Sequence, residues 1–324
     1  MSGRRCSMAE TAKRVQVVEV GPRDGLQNLP DYLPAAEKLR LIDGLIDAGV
    51  AHLQITSFVS PKAIPQMQDA EEIARTCLER HPQLDLFALV PNLRGAQTAH
   101  RLGMKKVANV ISLSESHNKA NINRTRAQSL EEVTRIRDSL PELEVCVDVA
   151  TAFGCPFEGR PTQQALVDFV GQVRDLGVRT FCLCDTIGVT DPAQVRGVLK
   201  AVKAAFPDSL FQVHIHDTRN MGMVNTLAAL ECGADGVQST LGGLGGCPFA
   251  PDASGNTATE DLVYMLGQMG YDTGIDFTKL LALAKTFHSA VPGNYSGHHI
   301  HIRSAAPCPL PGSSSVPGCQ SSVS

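Results

Sequence analysis

Residues 35–57 read AAEKLRLIDGLIDAGVAHLQITS, and this stretch holds the unit from which most of the chain is built. Apolar residues recur at helical spacing from residue 35 to residue 48, so we predict an amphipathic helix there. Gly49 follows, and a glycine at this place can take the left-handed conformation that ends a helix. A strand-sized apolar run, residues 52–57, comes next. The unit is therefore helix, glycine, strand.

The same unit recurs along the chain, with Gly103, Gly177 and Gly233 each placed before a further strand-sized run. Eight apolar, β-branched runs are present in all, at residues 15–20, 52–57, 84–90, 106–113, 144–151, 180–186, 211–217 and 236–241. Strands this continuously apolar are typical of a parallel sheet covered by helices on its faces. A count of eight favours closure into a TIM (β/α)8 barrel, with a doubly wound open sheet as the alternative.

Composition removes several classes of protein. The 324 residues are 43 % hydrophobic and 19 % charged, which is enough apolar material for a large core. Twenty-nine Lys plus Arg stand against 33 Asp plus Glu, so no basic field favours nucleic acid. No apolar run approaches the roughly 20 residues of a membrane span. The ten cysteines form no CxxC pair, which favours reduced thiols and a cytoplasmic location.

The pattern also predicts the domain boundaries. We expect an N-terminal extension over residues 1–14 and a single barrel domain over residues 15–302. Residues 303–324 are rich in Pro, Ser and Gly and contain little to bury, so we expect a disordered C-terminal tail.

Functional side chains of a TIM barrel lie at the carboxyl ends of its strands. Polar residues do concentrate at the ends of the predicted strands, namely Arg23, Asp24, Thr56, Ser57, Asp185, Thr186, His214, His216 and Asp217. We therefore expect one polar site at this end of the barrel.

A metal site is one interpretation of these residues. His214 and His216 are two apart on a strand, so both imidazoles project from one face. Asp24 supplies a carboxylate and Asn256 an amide oxygen, and such a mixed set suits octahedral Mg²⁺ or Mn²⁺ better than a closed zinc site. The alternative is that the histidines are core residues and that Asp24 and Asn256 belong to turns.

A glycine-rich segment, GGLGGCPFA at residues 242–250, follows the last strand. It matches neither a Walker motif nor a dinucleotide fingerprint. Four glycines in five positions allow a loop that swings or approaches a ligand, and this loop carries Cys247. A structural turn with an inert cysteine is the alternative.

Several longer strings extend these motifs and resemble the 3-hydroxy-3-methylglutaryl-CoA lyase family. They are VEVGPRDGLQN (18–28), TSFVSPK (56–62), NKANIN (118–123), GCPFEG (154–159), DTIGV (185–189), HIHDT (214–218), GGLGGCPFA (242–250) and SGNTATEDLVYML (254–266). The resemblance covers residues 15 to about 290 in matching order and spacing. The family consists of aldol-type metallolyases on a TIM barrel with an Arg-Asp signature after the first strand.

The resemblance implies a role for each matching residue. The metal ligands would be Asp24, His214, His216 and Asn256, and the metal Mg²⁺ or Mn²⁺. Arg23 would stabilise the enolate, Cys247 would donate a proton to it, and Asp185 or His214 would be the general base. Substrate contacts would come from Arg23, Gln27, Gln54, Ser57, Asn123 and Thr186. The implied reaction cleaves 3-hydroxy-3-methylglutaryl-CoA to acetyl-CoA and acetoacetate, and the implied assembly is a homodimer.

Departures from the family pattern keep two other functions open. Gln54 stands where the lyases usually have Glu, and Arg219 lies in a segment that also differs. The chain could therefore act on another 3-hydroxyacyl-CoA, as a lyase or a condensing enzyme. It could also be a silent barrel that binds CoA esters. His298, His299 and His301 suggest a second metal site, although adjacent histidines more often hold no ligand.

Overall fold

The computed structural model describes residues 13–246 and 255–302. Its eight strands are β1 (Val17–Glu19), β2 (His52–Ser57), β3 (Asp85–Leu89), β4 (Lys106–Ser112), β5 (Glu144–Ala150), β6 (Thr180–Asp185), β7 (Leu210–Ile215) and β8 (Gly236–Ser239). Each strand pairs in parallel with the next, and β8 pairs with β1 to close the ring. The predicted TIM barrel is confirmed. The open-sheet alternative is wrong because the last strand has the first as its neighbour.

Helices surround the sheet. Those in the described residues are α1 (Ala35–Asp47), α2 (Ala70–Arg80), α3 (Leu93–Arg101), α4 (Glu115–Ile122), α5 (Arg126–Ser139), α6 (Gln163–Asp175), α7 (Pro192–Ala205), α8 (Gly222–Glu231), α9 (Thr259–Gln268) and α10 (Phe277–Ala290). Within the described ranges, no helix is long and apolar enough to cross a bilayer.

The glycines that follow the helices have the conformation that the sequence predicts. Gly49, Gly103, Gly177 and Gly233 have φ values of +98°, +96°, +89° and +82°. Side chains other than glycine rarely adopt this region, because the Cβ would crowd the backbone. Each glycine thus ends one helix and turns the chain toward the following strand.

Two apolar layers hold the barrel together. The larger one fills the space between sheet and helices and includes the stacked rings of Phe181 and Phe211, whose centroids are 5.5 Å apart. A small cluster of Val18, Val20, Phe87 and Ala108 lies apart from it. Because side chains alternate along a strand, Val18 and Val20 project away from the outer layer and into the barrel.

The first described residues belong to the predicted N-terminal extension and contact the barrel domain. Residues 13 and 14 belong to the expected N-terminal extension, and both pair with the backbone around Asp272, after α9. The rest of that extension and the expected tail, residues 303–324, lie outside the described residues.

A buried carboxyl group, that of Glu19, ties the two loops at the closing seam of the barrel. Its Oε1 accepts hydrogen bonds from the backbone N–H of Gly21 (2.7 Å) and of Leu241 (3.0 Å), and its Oε2 accepts one from the Thr259 hydroxyl (2.6 Å). Glu260 similarly accepts from the Gly242 N–H at 2.8 Å. Burial raises the pKa of Glu19 to about 7 and that of Glu260 to about 8, although these donors act in the opposite direction.

The glycine turns give a stability prediction. No atom lies within 4 Å of a Cβ built on Gly103, so the Gly103→Ala variant tests backbone strain alone. We expect it to lower the free energy of unfolding by about 1–3 kcal/mol, measured by urea denaturation. Gly267→Ala is the matched control, since that site is equally open but lies in α9. The control should raise stability by about 0.4–1 kcal/mol. Equal effects of both variants would show that the left-handed backbone at Gly103 does not require glycine.

Glu19 gives a pH prediction. Its pKa is about 7 in the folded protein and near 4.5 in an unfolded chain, so between these values the folded state binds more protons. The contribution of protonated Glu19 to stability is therefore complete below the unfolded-state pKa, and it is lost as the pH rises through the folded-state pKa. Urea denaturation should show a lower free energy of unfolding at about pH 8 than at about pH 5. Glu19 should contribute on the order of 3 kcal/mol to this decrease.

The Glu19→Gln variant should show a smaller drop, because an amide does not ionise. The exposed Glu79→Gln variant is the control and should keep the wild-type pH dependence. An unchanged drop in Glu19→Gln would show that this carboxyl is ionised throughout the range.

Candidate metal centre and active-site cavity

A cavity of about 600 Å³ opens among the loops at the carboxyl ends of the strands. Most of the residues that the sequence analysis proposed line it: Arg23, Asp24, Gln27, Ser57, Asn123, Thr186, His214 and His216. Gln54, Asp185 and Asn256 are described but are not among the lining residues. Cys247 lies outside the described residues.

Three of the four expected metal ligands converge. The Nε2 atoms of His214, on β7, and His216, just after it, are 3.1 Å apart. A carboxylate oxygen of Asp24 lies 3.9 Å from the His214 Nε2, and ligand atoms of all three residues lie within 4.8 Å of one another. The Nδ2 of Asn256 donates to the same Asp24 oxygen at 2.9 Å and to the Leu244 carbonyl at 3.2 Å.

The protonation states at this cluster suit a cation. Burial alone raises the pKa of Asp24, but the charge of Arg23 and the two imidazoles outweigh it and bring that pKa to about 2. Burial lowers the pKa of His214 and, together with the neighbouring imidazole, lowers that of His216 to about 4. At neutral pH the cluster thus presents one carboxylate and two neutral imidazoles.

The donor set fits a divalent cation. The Asn256 Oδ1 is buried without a hydrogen-bond partner, which leaves an amide oxygen as a further acceptor. Ligand atoms in adjacent positions around a small octahedral cation are about 3 Å apart, since each bond is about 2.1 Å. The spacing of 3.1 Å between the two imidazole nitrogens agrees with that value. Oxygen and imidazole ligands with room for a bound molecule are typical of Mg²⁺ and Mn²⁺ sites.

Arg23 is held in place on two sides. Its Nε donates to the Gln54 Oε1, and its Nη1 donates to Asp24 at 2.6 Å. Gln27 supports the same carboxylate through a 3.0 Å hydrogen bond. Gln54 is fully buried on β2, so the guanidinium is oriented by a neutral amide on one side and by a carboxylate on the other.

Asp185 is not one of the residues that line the cavity. Its carboxylate oxygens accept hydrogen bonds from the backbone N–H of Val189 (3.0 Å) and of Thr190 (3.1 Å), so it organises the loop after β6. Cys184, the preceding residue, pairs with His214 in the sheet and lines the cavity instead. Side chains alternate along a strand, so Asp185 projects to the other face.

The expected substrate-contacting residues have varied surroundings. The Ser57 hydroxyl donates to the Leu89 carbonyl at 3.3 Å, and the Thr186 hydroxyl accepts from the Thr151 N–H at 2.8 Å. Asn123 is exposed and caps α4 in the left-handed conformation, with φ of +53°. These three residues place polar groups around the rim of the cavity.

The structure adds a residue that the sequence analysis missed. Asp148, in β5, lines the cavity and is only 4 % exposed. Burial raises its pKa to about 6, while the charge of Arg23 lowers it and that of Asp24 raises it. Its signal in the sequence is a charged residue in the otherwise apolar run VCVDVAT.

The histidines near the C-terminus have a structural role. The backbone N–H groups and the Nδ1 atoms of His298 and His299 all contact the carboxylate of Asp261, and the ring of His299 packs against that of Tyr264. In the part of the chain that the structure describes, the cluster around Asp24 is the only group of three or more such residues with metal-ligand spacing. The suggestion of a second metal site is not supported.

Comparison with known proteins agrees with this geometry. Residues 14–287 match the HMGL-like family. Hydroxymethylglutaryl-CoA lyase YngG of Bacillus subtilis is 39 % identical over 275 residues, which cover 84 % of this chain and 92 % of the relative. The (R)-citramalyl-CoA lyase of Chloroflexus aurantiacus is 41 % identical over 279 residues, which cover 83 % and 88 %.

Solved structures agree as well. An HMG-CoA lyase from Acinetobacter baumannii, in complex with coenzyme A and 3-methylmalate, superimposes with a TM-score of 0.85 at 38 % identity. The match covers 92 % of this chain and 98 % of that one. The chain therefore belongs to the HMGL-like family of divalent-metal-dependent lyases.

Proposed function

We propose that this protein is a carbon–carbon lyase that cleaves 3-hydroxy-3-methylglutaryl-CoA to acetyl-CoA and acetoacetate. The observation that carries the proposal is the convergence of Asp24, His214 and His216 beside Arg23 in one cavity. Cleavage of this substrate requires a hydroxyl group to lose its proton and a thioester to accept negative charge. The cavity offers a cation site for the first requirement and a guanidinium for the second.

Asp24, His214, His216 and Asn256 would hold the cation, which we propose to be Mg²⁺ or Mn²⁺. Such a cation, when bound, lowers the pKa of a hydroxyl oxygen that it contacts. The protein holds its ligands in the state that binding requires, because Asp24 is ionised and both imidazoles are neutral near pH 7. Binding therefore needs little proton release.

Arg23 would stabilise the enolate that develops at the thioester oxygen. A fixed guanidinium is most effective where charge appears only in the transition state. Gln54 and Asp24 orient Arg23 before any substrate enters, so no reorganisation is needed during the reaction. Gln27, Ser57, Asn123 and Thr186 would position the acyl-CoA around the cavity.

Cys247 would donate the proton that converts the enolate to acetyl-CoA. Its role rests on the resemblance to the lyase family, because the residue lies outside the described residues. The resemblance likewise supports a homodimer, and the scattered cysteines support a cytoplasmic location.

A second candidate substrate is a shorter hydroxyacyl-CoA such as (R)-citramalyl-CoA. Its carboxylate is attached directly to the hydroxyl-bearing carbon, so the acyl chain is one methylene shorter and the products are acetyl-CoA and pyruvate. Two observations favour it. The relative of that name is 41 % identical, and Gln54, which contacts Arg23, is neutral where the lyases usually have Glu.

Product analysis decides between the substrates. With purified protein and Mn²⁺, we expect acetoacetate from 3-hydroxy-3-methylglutaryl-CoA, quantified by mass spectrometry. EDTA should abolish the product and added Mn²⁺ should restore it. Parallel reactions with citramalyl-CoA should release less product per unit time. More pyruvate than acetoacetate would favour the second candidate, and no product from either would favour a silent CoA-ester-binding barrel.

Ligand variants test the cation site without relying on activity. His216→Ala should weaken Mn²⁺ binding at least tenfold in isothermal titration calorimetry, since one of two nitrogen ligands is lost. Asp24→Asn should do the same, because it removes the ionised ligand. His52→Ala is the control, since His52 lies at the opposite end of the barrel beside Asp85. Unchanged Mn²⁺ affinity in the first two variants would contradict the assignment.

A further inference from the structure

The position of Asp148 in the fold places a carboxylate opposite the Arg23–Asp24 turn. The sheet is a closed ring of eight strands, so β5 is four strands away from β1 in either direction. Asp148 lies on β5, and its neighbours Val147 and Val149 pack in the outer apolar layer. Asp148 therefore projects into the barrel, where it lines the same cavity as Arg23 and Asp24.

The carboxylate of Asp148 has no direct ion-pair partner among the described residues. Among the described residues, no Lys, Arg or His side chain forms an ion pair with it, whereas Asp24 has Arg23. Its side-chain hydrogen bond comes from the neutral amide of Gln238, on β8. Lone pairs of the carboxylate thus remain available to a molecule in the cavity.

The groups that act on Asp148 are uncharged thiols and two charges of opposite sign. Burial raises the pKa of Cys146 and Cys182. The hydrogen bond with Cys182 lowers the pKa of Cys184, but burial and the nearby carboxylates outweigh it and raise that pKa, so all three thiols keep their protons. Arg23 and Asp24 act on Asp148 with opposite signs. The principal influence on the carboxylate is its removal from water.

The proposed reaction needs an acceptor for the substrate's hydroxyl proton, and the two residues first considered for it are otherwise engaged. Both carboxylate oxygens of Asp185 accept hydrogen bonds from backbone N–H groups, those of Val189 and Thr190. The Nε2 of His214 belongs to the cation site. Asp148 is a buried carboxylate that lines the cavity. It is neither bonded to backbone N–H groups, as Asp185 is, nor part of the cation site, as His214 is.

We propose that Asp148 is the catalytic base that removes the proton from the substrate hydroxyl, an inference that rests on the proposed lyase function. The O–H bond breaks and its proton moves to a carboxylate oxygen of Asp148. The O–H electron pair becomes the carbonyl bond of the released keto acid. The electron pair of the cleaved C–C bond moves onto the acetyl part as an enolate, whose oxygen lies toward Arg23.

The cycle balances once the enolate is protonated. The general acid gives a proton to the enolate carbon, and the proton on Asp148 returns to that acid through water when the products leave. The raised pKa of Asp148, about 6, is consistent with a base that is ionised near neutrality and still strong enough to accept a proton.

Asp148→Asn tests the assignment, because it removes the base with little change of shape. We expect kcat to fall by about 10²- to 10⁴-fold while KM changes only a few-fold. The wild-type kcat should decline as the pH falls and Asp148 takes up a proton, and the variant should lose this acidic limb. Asp148→Glu should recover part of the rate.

Two controls separate catalysis from structure. Glu144→Gln removes a carboxylate from the exposed beginning of the same strand and should keep the wild-type kcat and pH profile. Mn²⁺ affinity, measured by calorimetry, should be equal in Asp148→Asn and wild type. A variant with kcat within tenfold of wild type, or one whose rate loss follows a loss of Mn²⁺ affinity, would overturn the proposal.

The activity of the wild type distinguishes a failure of the Asp148 assignment from a failure of the proposed lyase function. If the wild type cleaves 3-hydroxy-3-methylglutaryl-CoA and Asp148→Asn cleaves it equally well, only the assignment of the base fails. If the wild type instead cleaves citramalyl-CoA, the same variants are compared on that substrate, and the same loss of kcat is expected. If the wild type cleaves neither, the lyase function fails and the assignment fails with it.

Discussion

The contact between Asn256 and Asp24 joins residues 232 positions apart, and the site depends on it. It exists because β8 pairs with β1, which brings the first and last loops of the barrel together. Glu19 strengthens the same seam by accepting hydrogen bonds from both loops. Closure of the sheet is thus the condition for assembling the cation site. In an open doubly wound sheet the first and last strands are not neighbours, so these two loops would not meet.

The cation site lowers the stability of the fold, because it buries a charge and several polar atoms that lack hydrogen bonds. Asp24 is ionised, although its side chain is only 13 % exposed, and the charges around it make this possible. The Asn256 Oδ1 and the Nδ1 atoms of both imidazoles are buried without hydrogen bonds. Unsatisfied buried polar atoms cost about 1–3 kcal/mol each, so such groups persist where function needs them. A bound cation would satisfy the amide oxygen and stabilise the folded state.

Sequence periodicity located every strand, because apolar runs and helix-ending glycines recur with the length of a strand–helix unit. It also placed His214 and His216 together, because residues two apart on a strand share a face. Strands that are buried on both faces carry no alternation to show which side chains point inward. For that reason the sequence did not reveal that Asp148 faces the cavity while Asp185 faces the helices.

The charges on the two walls of the cavity determine how a substrate would lie in it. Gln54 orients Arg23 from one side without neutralising it, and the ion pair of the guanidinium is with Asp24 on the other side. Asp148 adds a negative charge to the opposite wall, where the other buried residues of β5 are uncharged. A substrate carboxylate is repelled by that wall and attracted toward Arg23, whereas a hydroxyl group can donate a hydrogen bond to it. In the proposed reaction, Arg23 on one wall and Asp148 on the other would therefore orient a hydroxyacyl-CoA with its hydroxyl group toward β5.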